Sequence, residues 1–249
     1  MTTDERLGKW RQDIVVALFE VQHLSNGHEV FATVGEIIKD QLAIRQSAFA
    51  FYLGLAYLDW SAMAARRFVD TRQDAHSLWR LLDEISRHPA DISRKYFQRA
   101  FLEMVPHALF AQIVRPTVPL TVEGIEREAN FRFDELAGTG VSCLLKQTVL
   151  ADVDRLRSAA EIFERYASNF VAHRSKSARL MRSPADLADL GDAVVLFPDP
   201  GKLSEFIEAA RSVFSRYHSL ILGAPPLFGS VPADWKNVFR FPWIEKNNP

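Results

Sequence analysis

The chain has one cysteine, Cys143, in 249 residues. A single thiol excludes an intrachain disulfide and, without a Cys/His cluster, a zinc finger; it fits a reducing compartment. Its apolar neighbours predict a buried free thiol rather than an activated nucleophile. Long apolar runs are also missing. The longest, residues 48–58, is about half the roughly 20 residues needed to cross a bilayer and is closed by Asp59, so it is expected to be a core helix. The opening MTTDERLGKW carries two acids and no apolar stretch, which argues against a signal peptide and for a cytoplasmic protein. Neither sign of charge prevails: Lys+Arg 30 against Asp+Glu 31 gives a formal net charge of −1. The molecule as a whole then has no polyanion-attracting field, and any affinity for nucleic acid must come from a local patch. No HExxH or CxxC motif accompanies the seven histidines, and His23 and His28, the nearest pair, are poorly spaced for one helix face, so neither a metal nor another cofactor is expected. The segment Gly138-Thr139-Gly140 follows no strand and lacks the Gly-Lys-Ser/Thr ending of a phosphate loop; no Gly-x-Ser-x-Gly elbow is present either.

What is abundant is helical periodicity, on a chain that is 48% hydrophobic and long enough to build a core. Residues 5–24 carry Leu7, Trp10, Ile14, Ala17, Leu18 and Val21 at helical spacing, with Asn26-Gly27 as the expected stop. Residues 30–69 continue through Ile37, Leu42, Phe49, Leu53, Tyr57, Trp60 and Phe68 as one very long helix or two nearly collinear ones. Asp74 or a neighbour caps a short helix containing Leu78, Trp79, Leu81, Leu82 and Ile85, which His88-Pro89 ends. Asp91 opens another helix, Pro106 breaks it, and Pro116 and Pro119 mark a loop. A charge-rich helix spans 121–136 and stops at Gly138-Thr139-Gly140. From about residue 144, Val149, Val153, Leu156, Ala160, Phe163, Ala167 and Phe170 form one stripe. Ser183-Pro184 starts a turn; residues 194–197 (VVLF) read as a strand too short to make a sheet alone. A last helix, 202–222, ends at Gly223, and Trp235, Phe239, Phe241 and Trp243 are expected to pack the tail over the helices. With no repeat, low-complexity tract or linker, the expected architecture is all-α: one helical domain over 1–222 and an irregular, aromatic-rich extension over 223–249.

Chemistry concentrates in residues 165–182, RYASNFVAHRSKSARLMR. Stepping back from His173 in fours gives Asn169, Arg165, Glu161 and Arg157, a polar stripe on one helix face. On their own these residues make i,i+4 ion pairs worth a few tenths of a kcal/mol each. The cations Arg174, Lys176, Arg179 and Arg182 likewise complement a helix C-terminus, or else bind phosphates.

The stretch NFVAHRSKS resembles the motif helix of the HEPN superfamily, in which an Arg and a polar residue, often Asn, precede a His by about four to six positions. Residues 64–85, AARRFVDTRQDAHSLWRLLDEI, resemble the AbiU-like abortive-infection branch, where a long helix ends in an Asp-rich turn followed by Ser-Leu and Leu-Leu. The resemblance spans roughly residues 10–220. It implies a HEPN-like helical bundle that forms a homodimer, brings two motif helices to one cleft, and serves a prokaryotic defence or toxin–antitoxin system as a metal-independent endoribonuclease. By the same resemblance His173 is the acid/base, Asn169 its orienter, and Arg165 or Arg174 the phosphate clamp, with Lys176, Arg179 and Arg182 along the RNA. An antitoxin or defence partner is implied as well. The chain departs from the pattern at Ser168, where the family carries its Arg. Arg165 lies eight residues before His173, about 12 Å of helix rise, and Arg174 lies immediately after it. That departure leaves two further readings open: a degenerate scaffold that binds RNA, a nucleotide or a protein, and a helical interaction protein outside the family.

Overall fold

The computed structural model describes residues 1–39, 48–72, 75–104, 121–168 and 200–232. These form seven α-helices: α1 (Thr3–Lys39), α2 (Ala48–Phe68), α3 (Leu78–Arg87), α4 (Arg94–Met104), α5 (Val122–Ala137), α6 (Lys146–Tyr166) and α7 (Pro200–Leu222). A single 3₁₀ turn, Pro89–Asp91, joins α3 to α4. Among the described residues no strand forms beyond one isolated bridge between Ser93 and Cys143, and the architecture is all-α. No helix among them is long and apolar enough to cross a membrane.

The helix α7 is the hub. Its stripe Leu203, Phe206, Ala210, Val213, Phe214, Tyr217 and Leu220 is fully buried, and α1, α6 and α4 pack around it. At Phe206 three helices meet, its ring 5.8 Å from both Phe68 of α2 and Phe163 of α6. On α1 the inward positions Leu7, Trp10, Ile14, Ala17, Val21 and Leu24 recur at alternating steps of three and four. A second cluster joins α4 to α5, where Phe97 packs at 5.7 Å against Phe133, the rings tilted by 50°, and Arg94 lies 4.8 Å over the Phe133 ring.

Asn26-Gly27 does not stop α1. The helix continues to Lys39, 37 residues and about 55 Å in all. Gly27 is there for packing: any Cβ would collide with the Trp60 indole of α2, so the glycine lets the two helices touch. Beyond this point the pair is held by aromatics, with Phe31 stacked on Tyr57 at 3.9 Å and Tyr57 on Trp60 at 6.0 Å. The run 48–58 is helical but not core. Phe49 and Tyr52 are exposed, and burial on α2 begins only at Ser61, while the ring contacts described between α2 and another helix before that point, at Tyr57 and Trp60, are with α1.

The cap of α3 is Ser77, whose Oγ accepts from the Arg80 N–H; Asp74 lies outside the described residues. Asp91 does not open a helix. Its carboxylate accepts from Arg6 and Thr3 and so clamps the start of α1, while the Ser93 hydroxyl accepts from the Tyr96 N–H at the start of α4. Cys143 is half-buried rather than buried: it lies in an extended segment beside Ser93, and alternation turns Leu144 inward in its place. Thr121 caps α5, Gly138 ends it at φ 110°, and Gly223 ends α7 at φ 80° against the backbone of Ala100 and Phe101. The prolines 106, 116 and 119, Ser183-Pro184, residues 194–197 and the aromatic tail from Trp235 on lie outside the described residues.

Candidate functional site

Helix α6 carries the candidate chemistry. Val149, Val153, Leu156, Ala160, Phe163 and Ala167 are all buried, which turns the intervening Arg157, Glu161 and Arg165 to solvent. Two polar anchors fix the helix. Midway, buried Asp152 accepts two hydrogen bonds from Arg216 Nη1, at 2.7 and 2.9 Å, and one from the Tyr217 hydroxyl at 3.1 Å, both donors on α7. A carboxylate this deep needs that set of donors to offset its lost hydration. At the far end the Tyr166 hydroxyl donates to Asp59 of α2 at 2.8 Å. Burial, together with the Asp59 charge, pushes the Tyr166 phenol far above its ordinary value, so it stays a donor at every physiological pH.

Past Tyr166 the helix widens into a π-turn at Ala167 and Ser168, a distortion often found at functional positions. Arg165, one residue before Tyr166, is exposed and faces Glu161 at 4.0 Å. Both side chains are well over half exposed, so the pair contributes little and the guanidinium stays available to an anion. Glu164, on the neighbouring face, is raised by burial, with Arg157 and Arg66 drawing it back and Asp70 and Glu161 adding to the rise. The π-turn therefore sits among alternating charges, with Arg165 the cation nearest to it along the helix.

Of the residues singled out from the sequence, Arg165 and the departing Ser168 are described; Asn169, His173, Arg174, Lys176, Arg179 and Arg182 lie outside the described residues. The structure adds Asp59 and Tyr166, whose hydrogen bond ties the last turn of α6 to α2. Their contact joins positions 107 apart, and only one hint of it is local: Asp59 is a lone acid following an apolar run. Among the described residues no group of three or more His, Cys, Asp or Glu side chains is placed to hold a metal ion. Compared with known proteins, the chain matches no protein-family model, no curated protein and no solved structure.

Proposed function

We propose that the chain is a HEPN-type, AbiU-like protein of a prokaryotic defence or toxin–antitoxin system, cytoplasmic and homodimeric, that cuts RNA without a metal. The observation that carries this reading is the residue order in the sequence from the last turn of α6 onward, where Arg165, Asn169, His173 and Arg174 follow one another, the first three at steps of four. Two described features support it: the exposed Arg165 guanidinium, and the π-turn at Ala167 and Ser168, immediately before Asn169 in the sequence.

In this reading a His with a pKa near neutral takes the proton of the ribose 2′-hydroxyl or delivers one to the leaving 5′-oxygen. The 2′-oxygen attacks the adjacent phosphorus, the P–O5′ bond breaks, and a 2′,3′-cyclic phosphate remains on one product. Arg165 or Arg174 neutralises the charge that builds on the phosphoryl oxygens. Asn169 holds the imidazole or the phosphate, and Lys176, Arg179 and Arg182 follow the RNA backbone.

Ser168 favours a second reading, a catalytically degenerate HEPN scaffold whose cleft binds RNA, a nucleotide or a partner such as an antitoxin. One experiment separates the two. Wild-type protein and Ser168→Arg, each confirmed as a dimer by light scattering, are incubated with a single-stranded RNA panel in EDTA. The nuclease reading expects cleavage with 2′,3′-cyclic phosphate ends and faster cleavage by Ser168→Arg. No cleavage by either protein assigns the scaffold, and a monomer at micromolar concentration overturns the HEPN assembly itself.

A further inference from the structure

Outside α6, the clearest chemical anomaly lies between α1 and α2. There Glu20, His23 and Leu24 face Trp60, Met63 and Arg67 across a cavity of about 80 Å³. Its floor is apolar, with Leu24 and Phe68 almost wholly buried. Its mouth is basic or basic-capable, with His23 and Arg67 exposed. The Trp60 indole is held in place from three directions, its edge against Gly27, its ring stacked on Tyr57 at 6.0 Å and 5.5 Å from His23 in a T-shaped contact. Between floor and mouth sits Glu20. Its Oε2 is buried and accepts no hydrogen bond. Burial raises the Glu20 carboxyl above its ordinary range, opposed by the charges of Arg67 and His76.

Buried acceptors in folded proteins are nearly always satisfied. An oxygen left over beside an aromatic wall and a cavity therefore asks for an N–H donor carried on a flat, apolar body. A simple organic cation meets the first demand, but Arg67 at the mouth opposes it. A molecule with donors at one end and negative charge at the other meets both, and a nucleotide is such a molecule. A carboxylate pairs best with two adjacent donors, which among the four RNA bases is the N1–H and N2–H₂ edge of guanine. The cavity is smaller than the 150 Å³ or so that encloses a benzene, so the edge of a base enters while sugar and phosphate stay outside, near Arg67 and His23.

We propose that the Glu20–Trp60 cavity is a base-reading pocket for guanine, with the base edge on Glu20, its face on Trp60 and its phosphate toward Arg67. Stacking on an aromatic side chain with hydrogen bonds to the base edge is how unpaired RNA bases are read. The inference rests on the RNA reading for its choice of a nucleotide, while the pocket itself is independent of the end of α6.

The test is isothermal titration calorimetry on the full chain with GMP, AMP, CMP and UMP, and with arginine amide as the organic cation. GMP is expected to bind at least about tenfold more tightly than UMP, because a site built to hydrogen-bond a donor edge rejects analogues that lack it. Glu20→Gln should erase that preference while keeping the circular dichroism of the wild type. Trp60→Phe should weaken all four nucleotides alike. Equal affinities for the four nucleotides, unchanged selectivity in Glu20→Gln, or binding of arginine amide but not GMP would each overturn the pocket. Guanine selectivity in a protein that never cuts RNA retains the pocket and rejects the nuclease; RNA cleavage without nucleotide selectivity does the reverse.

Discussion

The ends of α5 and α6 use the same kinds of residue to opposite effect. At the end of α5, Asp134 and Arg94 spend their charges inward. Arg94 donates to Asp134 at 2.5 Å, to the Val141 carbonyl at 2.7 and 3.2 Å and to the Asn130 carbonyl at 3.2 Å, while its plane covers Phe133. Asp134 also accepts from the Gly140 N–H at 3.1 Å, and Gly138 and Gly140, both at positive φ, let the chain reverse. The end of α6 has no glycine. It widens into a π-turn, and its Arg165 faces only an exposed glutamate at 4.0 Å. A turn that exists to reverse the chain ties its polar groups into the fold. A helix end with an exposed cation and a local distortion keeps that cation available for a ligand.

Mutations sharpen that contrast, since inward charges should matter to stability and outward ones to RNA. The largest stability effect is expected for Arg94→Ala, a lowered midpoint of chemical denaturation, because it removes at once the donors to the Val141 and Asn130 carbonyls and to Asp134; RNA binding should not change. Gly138→Ala should cost about 1–2 kcal/mol, since a side chain at φ 110° is strained. Tyr166→Phe should cost about 1 kcal/mol by removing the donor to Asp59. On the proposed function it should also change RNA cleavage, because Tyr166 lies three residues before Asn169 in the sequence.

A smaller effect is the pH dependence of Asp134. The hydrogen bond from Arg94 is the main cause of its lowered pKa, with burial opposing and the Gly140 N–H and the Arg94 charge adding. Because the folded value lies below the ordinary 3.8, the stabilisation is complete above that pH and lost as pH falls through the folded value. The gap between wild type and Asp134→Asn should close in the same window, as thermal melts would show. The smallest stability effect belongs to Arg165→Ala, within about 0.5 kcal/mol of wild type. Its RNA affinity should fall, and the salt dependence of binding should become shallower. A destabilisation by Arg165→Ala as large as that of Arg94→Ala would erase the distinction between the two ends.

The helical content, the stops at Gly138 and Gly223, and the buried stripe of α6 are legible because each rests on spacing or turn chemistry within a few residues. Gly27 was misread for the converse reason: its partner, Trp60, is 33 positions away, and an isolated glycine looks the same whether it stops a helix or admits an indole. Residues 48–58 mislead because composition records apolarity but not which side chains the fold covers. At the candidate site the Glu161–Arg165 pair was readable from its i,i+4 spacing, whereas Tyr166–Asp59 and the unsatisfied Glu20 arise only when distant helices meet.

The most direct test of the outward-facing end is single-turnover RNA cleavage by wild type and His173→Ala in EDTA, with thermal stability measured in parallel. A positioned acid/base contributes roughly 10²-fold or more, so the variant should lose at least that much rate at an unchanged melting temperature. Cleavage by His173→Ala at the wild-type rate would contradict the assignment of the segment that follows α6 as the catalytic element.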